Sequence, residues 1–205
     1  MNAMTRSLLA DAARAVRTKK YEVDPVRGLL IPAAKAYVGG LFEARYMAPG
    51  AGEFGPAHLA PNRFVGQGLN KLLNLLGGHV SANTLYLAPF EGDVVPDDTW
   101  TDANFVANAD EFTAYTPGTR VPWTTVATSD KLLTNVAALA AATITFTAGG
   151  PYTLTGCALI GSSAKGAGTG GLVVAARFDD DISGMNVGGK LALQYGLGAI
   201  DESDA

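Results

Sequence analysis

The chain holds one cysteine, Cys157, and two histidines, His58 and His79, among 205 residues. A lone cysteine excludes an intramolecular disulfide and any metal site built from cysteine clusters. It sits in the apolar run LTGCALIG, where a small buried hydrophobe is the economical reading. Each histidine lies within two residues of glycine or proline, in expected loops. A general base needs an imidazole held by a second group, and neither histidine stands in a Ser/His/Asp or Cys/His pattern. Charged residues are scarce at 17%. No apolar stretch approaches the roughly 18 residues that span a bilayer. The longest, Val136 to Phe146, is short and rich in alanine and threonine. The N-terminus carries no continuous apolar core of the signal-peptide type. The expectation is a chain made in a cytosol, with no membrane partner.

Glycine and proline are plentiful, at 25 and 10 residues, and 48% of the chain is apolar. The apolar content argues against global disorder, and a body of about 150 residues can hide some two thirds of its unfolded surface. Frequent turn formers favour a β-rich fold over a helical bundle. Charge is unevenly placed. Residues 1–45 hold eight basic and four acidic side chains, net +4, which leaves seven basic and fifteen acidic in the remainder, net −8. A basic leader on an acidic body suggests an arm that docks on an acidic surface. Nucleic acid is disfavoured as its target, because dense Lys/Arg clusters interleaved with aromatics are absent.

Periodicity divides the chain. Residues 1–20 fit a short amphipathic helix, with Ser7 as a cap and Leu8, Ala12, Ala15 and Val16 at helical spacing. Such a helix is marginal alone and orders on a partner. Residues 21–65 are broken by Pro25, Pro32, Pro49, Pro56 and Pro61, so regular structure longer than about eight residues is not expected. The segment is nonetheless apolar, and a loop so long and apolar is unusual in a compact domain. Residues 1–65 are therefore read as an extended arm whose side chains are covered by neighbouring subunits, the competing reading being that it folds back on its own domain.

Residues 66–205 read as a helix plus a β-domain. In GQGLNKLLNLLGG (66–78), Leu69, Leu72, Leu73 and Leu76 fall at i, i+3, i+4 and i+7 before a glycine stop, which predicts a short helix plugging one side of the body. Segments 84–90, 120–126, 143–147, 153–163, 171–178 and 190–197 read as strands separated by glycine-rich turns. Residues 91–118 read as a long acidic loop with a helical turn over 102–108. The fold class is mainly β, a β-sandwich or jelly roll with an extended N-terminal arm and one or two short helices.

Three motifs invite chemistry and have simpler readings. SSAKGAGTGG (162–171) superficially resembles a phosphate loop, but Lys165 comes too early and a strand follows. Asp179–Asp181, and the group Asp93, Asp97, Asp98 and Asp102, could offer oxygen to Ca²⁺ but lack the spacing of a calcium loop. No catalytic, cofactor-binding or metal residue is assigned. Trp100, Tyr115 and Trp123 are the aromatics a glycan site would use, with core packing as the alternative.

The order of several strings adds a resemblance. FEARYMAPG, GQGLNKLLNLLGG, TLYLAPFEGDVVPDDTWTDANF, ANADEFTAYTPGTRVPWT and CALIGSSAKGAGTGGLVVAARF together resemble phage structural proteins of the capsid decoration (cement) or head–tail accessory type, over about residues 41–198. The resemblance implies a non-enzymatic virion component with a sandwich or jelly-roll fold. The expected function is a capsid decoration protein that binds the major capsid protein lattice, or other virion proteins, through its arm, as a homo-oligomer with a trimer favoured. The alternatives are a tail, collar or fibre-base protein and a glycan- or receptor-binding module. The interface residues expected from this reading are Leu29, Ile31, Tyr37, Leu41, Phe42 and Tyr46 as buried contacts, with Arg14, Arg17, Lys19 and Lys20 steering the approach.

Overall fold

The run Tyr152–Ile160 is continuously buried from Leu154 onward, whereas a strand with one wet face would alternate. Both faces of its sheet must therefore be covered, and the rest of the architecture shows by what. The computed structural model describes residues 21–23, 26–28, 30–32, 36–126 and 131–201. These are mainly β, and the chain forms two compact units, residues 1–38 with 199–205, and Gly39–Gly198. In the first unit β1 (Tyr21–Val23) and β2 (Leu30–Pro32) pair antiparallel, with Tyr21 opposite Pro32 and Val23 opposite Leu30.

The second unit is a β-sandwich of two antiparallel sheets. Its strands begin with β3 (Ala36–Met47), β4 (Ala57–Pro61), β5 (Arg63–Phe64) and β6 (Tyr86–Phe90). Four short ones follow, β7 (Tyr115–Thr116), β8 (Val121–Pro122), β9 (Leu132–Thr134) and β10 (Thr143–Phe146). Three long ones end it, β11 (Tyr152–Ile160), β12 (Leu172–Met185) and β13 (Lys190–Asp201). One sheet runs β4-β3-β13-β10-β7, with β9 also on β13, and the other runs β5-β12-β11-β6-β8. Two helices, α1 (Gly66–Leu76) and α2 (Asp102–Ala109), precede the late strands.

Alternation along the second sheet separates two cores. Leu87, Cys157, Leu159, Val174 and Ala176 face the first sheet, where they meet Phe42, Ala44, Ile144, Phe146, Leu193 and Tyr195. Their neighbours Ala88, Phe90, Ala158, Ile160 and Ala175 face the opposite way, against Val65, Trp100, Phe105 and Ala109. The segment expected as an acidic loop is thus the lid on the outer face. Its α2 opens with Thr101 N donating to Asn104 Oδ1 at 2.7 Å, a reciprocal cap that fixes where Phe105 points.

The arm boundary moves. β3 spans twelve residues and lies between β4 and β13 in its sheet, where the prolines had suggested nothing regular longer than about eight residues. Gly40 is a packing device: a Cβ there would lie 2.3 Å from the Gly196 carbonyl oxygen and 2.6 Å from the Tyr195 hydroxyl. β12 likewise runs on through Asp179–Asp181 instead of ending at Phe178. Leu154 faces Ile182 and Gly156 faces Arg177, so two steps along β11 match five along β12. The excess forms a bulge that turns the three exposed aspartates outward. The stretch 120–126 shrinks to a two-residue strand at its start.

α1 meets the body through a glycine. A Cβ on Gly68 would sit 1.9 Å from the carbonyl oxygen of Val173 in β12. Gly68→Ala sets a helix-propensity gain of about 1 kcal/mol against an overpacking penalty of about 1–3 kcal/mol. Because the obstacle is sheet backbone, the penalty wins, and urea unfolding should report a net loss of stability. A variant more stable than the wild type would show that α1 does not rest on β12.

Candidate functional site

The densest polar constellation surrounds the glycine-rich connection between β11 and β12. α2 ends at Asp110, in a left-handed conformation at φ 52°, and the next residue, Glu111, bridges to Phe90 of β6. Arg120 precedes β8, its backbone N–H donating to Ser163 O at 2.8 Å. These anchors bring two fully buried side chains together. Arg120 Nε donates to Glu111 Oε1 at 2.7 Å and Nη2 to Oε2 at 2.6 Å, a bidentate fork. Two further guanidinium protons go to loop carbonyls, Nη1 to Ser162 O and Nη2 to Ala167 O, both at 3.0 Å. Gly166 N–H donates to Glu111 Oε2 at 2.9 Å, from a φ of +68° that suits glycine.

Lys165 completes this end of the loop. Its ammonium lies 3.3 Å from the centroid of the Tyr115 ring, and donates to Thr113 O at 3.2 Å and to Tyr115 O. Burial pulls the Lys165 ammonium below its ordinary value, with Glu111 opposing the fall. The other end is tied to α1. Gln67 Nε2 donates to Asp102 Oδ1 at 2.8 Å, while Gln67 Oε1 accepts from Asp102 N and Leu172 N. Asp102 Oδ2 accepts from Gly171 N at 2.8 Å, and Lys71 Nζ donates to Gly170 O at 2.9 Å. Burial would raise the Asp102 pKa, but hydrogen bonds from Gln67, Gly171 and Ala103 outweigh it and hold the carboxyl below its usual value.

Chemically this is a fastener. A phosphate cradle offers free backbone N–H groups and a free lysine; here Gly166 and Gly171 donate to carboxylates, and Lys71 and Lys165 are spent on carbonyls. The pair Arg120–Glu111 was not singled out in the sequence. Its one signal was an arginine beside a valine at the start of an apolar strand.

The expected interface residues separate. Phe42 is buried in this chain's own core, its ring 4.3 Å from that of Tyr195. Tyr46 is half-buried against Phe146, and its hydroxyl accepts from Asn186 N at 3.1 Å. Both were expected to be buried on a partner; strand alternation in β3 turns Phe42 inward, and pairing of that strand brings Tyr46 over β10. Leu41 points outward and is exposed. Ile31 and Tyr37 lie in β2 and β3, their side chains outside the description, and Arg14, Arg17, Lys19, Lys20 and Leu29 lie outside the described residues. Trp100 and Tyr115 are buried, and half-buried Trp123 donates from Nε1 to Tyr195 O at 2.9 Å. All three aromatics pack within the body.

The other candidates stay dispersed. His58 Nδ1 lies 3.1 Å from Asp180 O, and His79 is exposed after α1. Arg177 binds both Asp93 and Asp181. Among the described residues no three His, Cys, Asp or Glu side chains gather, and no helix is long and apolar enough to cross a membrane. Burial raises the Cys157 thiol pKa strongly. Two depressions flank the loop. An apolar cleft of about 220 Å³ runs under α1, walled by Leu72, Leu75, Leu85, Trp123, Leu133 and Leu197. A polar groove beside it is lined by Asn83, Tyr86, Ser162, Ser163 and Thr169. Compared with models of known protein families, with curated proteins and with solved structures, the chain matches none.

Removing one partner of a buried ion pair strands the other charge, at about 3–5 kcal/mol. Arg120→Ala should lower unfolding stability by that amount and open 162–167 to proteases. The double variant Glu111→Leu/Arg120→Met should lose less than the sum of the single changes; full additivity would mean that the fork is not coupled. The depressed Asp102 pKa implies stability that is complete above the ordinary value of 3.8 and lost as pH falls through the lower folded value. Denaturation between neutral pH and pH about 2 should therefore show a flatter profile for Asp102→Asn than for the wild type.

Proposed function

We propose that this chain is a non-enzymatic structural component of a phage particle, a capsid decoration protein whose body sits on the shell and whose leader contacts the major capsid protein. One coincidence carries the reading. The resemblance to phage structural proteins covers about residues 41–198, and the second compact unit is Gly39–Gly198. The shared part is thus a self-contained sandwich, and the part outside the resemblance is a separate unit holding seven of the fifteen basic residues. The fastened loop adds support, because its charged groups stabilise the body and are not left facing solvent. A tail or collar position uses the same design and differs in copy number.

A leader of net charge +4 over residues 1–45 gains little alone, but on an acidic lattice each contact is repeated over many copies, so modest affinities suffice. Removing residues 1–45 would also delete most of β3 and its buried Phe42 and Ala44. The informative truncation ends at residue 38. With Arg14, Arg17, Lys19 and Lys20 changed to Glu in the full chain, or with residues 1–38 removed, the body should keep its β circular dichroism and lose incorporation into particles. Full occupancy by either variant, counted in a particle reconstruction, would overturn the arm's role.

A further inference from the structure

We infer that the outer face of α1 and the apolar cleft beneath it form a self-association surface, whose occupant is the same patch on a second copy of this chain. The inference refines the proposed assembly role and stands on a separate observation. Leu69, Leu73 and Leu76, at i, i+4 and i+7, are 46%, 65% and 77% exposed, although the same spacing usually marks a helix's buried stripe. The helix turns Gly68 to the sheet and sets Leu72 and Leu75 in the cleft wall, so its apolar residues extend round to the wet side. Leu75 and Val80, at the cleft rim, are 40% and 43% exposed.

Three features select a second copy over another partner. The first is shape. Protruding leucines stand beside a leucine-lined cleft of about 220 Å³, so one patch carries both knob and hole, as self-pairing requires. The second is charge. A homotypic contact brings each charge near its own sign, which the acidic remainder of the chain resists. α1 has a single charged residue, Lys71, and its ammonium is turned onto Gly170 O. The third is size. The patch presents five exposed apolar side chains, Leu69, Leu73, Leu75, Leu76 and Val80, far fewer than the roughly 20–30 residues a side of a stable interface. The pairing is therefore weak in free solution and is completed where a lattice holds copies side by side.

Sedimentation of the full-length protein from micromolar to about millimolar concentration tests this, with a parallel record of tryptophan emission, since Trp123 lines the cleft and Trp100 is buried. The mass average should rise with concentration and the Trp123 emission should shift to the blue. Leu73→Glu/Leu76→Glu, both surface changes, should weaken association at least tenfold with an unchanged melting temperature. Val95→Glu, at a site 74% exposed and outside the cleft, should behave as the wild type. A wild type that stays monomeric throughout overturns the inference, as does equal behaviour of the two variants. If the leucine variant alone fails on particles while the free protein never associates, the face serves another virion protein. Then the inference falls and the proposed function stands. Association in solution by a protein that never enters particles would do the reverse.

Discussion

Everything in the body depends on a sheet that is dry on both faces. β6 and the stretches of β11 (154–160) and β12 (172–176) beside it alternate between two cores, so their buried positions are apolar apart from Thr155, and each face dictates side-chain size. Towards the first sheet there is room for Leu87, Leu159 and Phe178. Towards the lid, alanines at 88, 158 and 175 let Phe90, Trp100 and Phe105 approach, with ring centroids 6.3–6.4 Å apart. Gly156 marks a close approach within the sheet, where a Cβ would fall 2.2 Å from the Phe90 ring and 2.3 Å from the Ala176 carbonyl oxygen.

Covering the second face is costly in chain length, and it accounts for the polar network. The lid from 91 to 110 has little regular structure beyond the eight residues of α2, and it must be returned to the sheet at both ends. Asp102 and Gln67 hold the first turn of α2 to α1 and to the head of β12, and Glu111 with Arg120 holds the lid's end to the loop before β12. Each link satisfies backbone groups that a glycine-rich loop cannot pair for itself. Asp102 and Lys165, which looked like candidate ligands, are thereby joined into scaffold. One outward face is apolar: the α1 leucines and the cleft beside them. In the assembly role proposed above, that face and the leader are the surfaces that meet other molecules.

Composition and pattern were enough for the class and for the placement of the longer strands after residue 84. Few charges, many glycines and runs such as TLTGCALIGSS and GLVVAARF can only bury as strands with turns between, and the stop after Leu76 is chemistry local to Gly77 and Gly78. These features depend on neighbours within a few residues, which a sequence displays directly.

Three matters depended on partners far along the chain. The prolines of 21–65 were legible as breaks, and only the approach of Tyr195 and Gly196 makes Gly40 a contact in a twelve-residue strand. The leucines of α1 announced one apolar face, but which of them turns inward was decided by Gly68 meeting the backbone of Val173. Glu111 and Arg120, nine residues apart, showed no spacing that marks a pair. They meet because β6 and β8 are adjacent in a sheet whose order the sequence does not write. Local hydrogen bonding and hydrophobic period set the elements; burial on a second face, which exists only once the layers have assembled, chose what each side chain would touch.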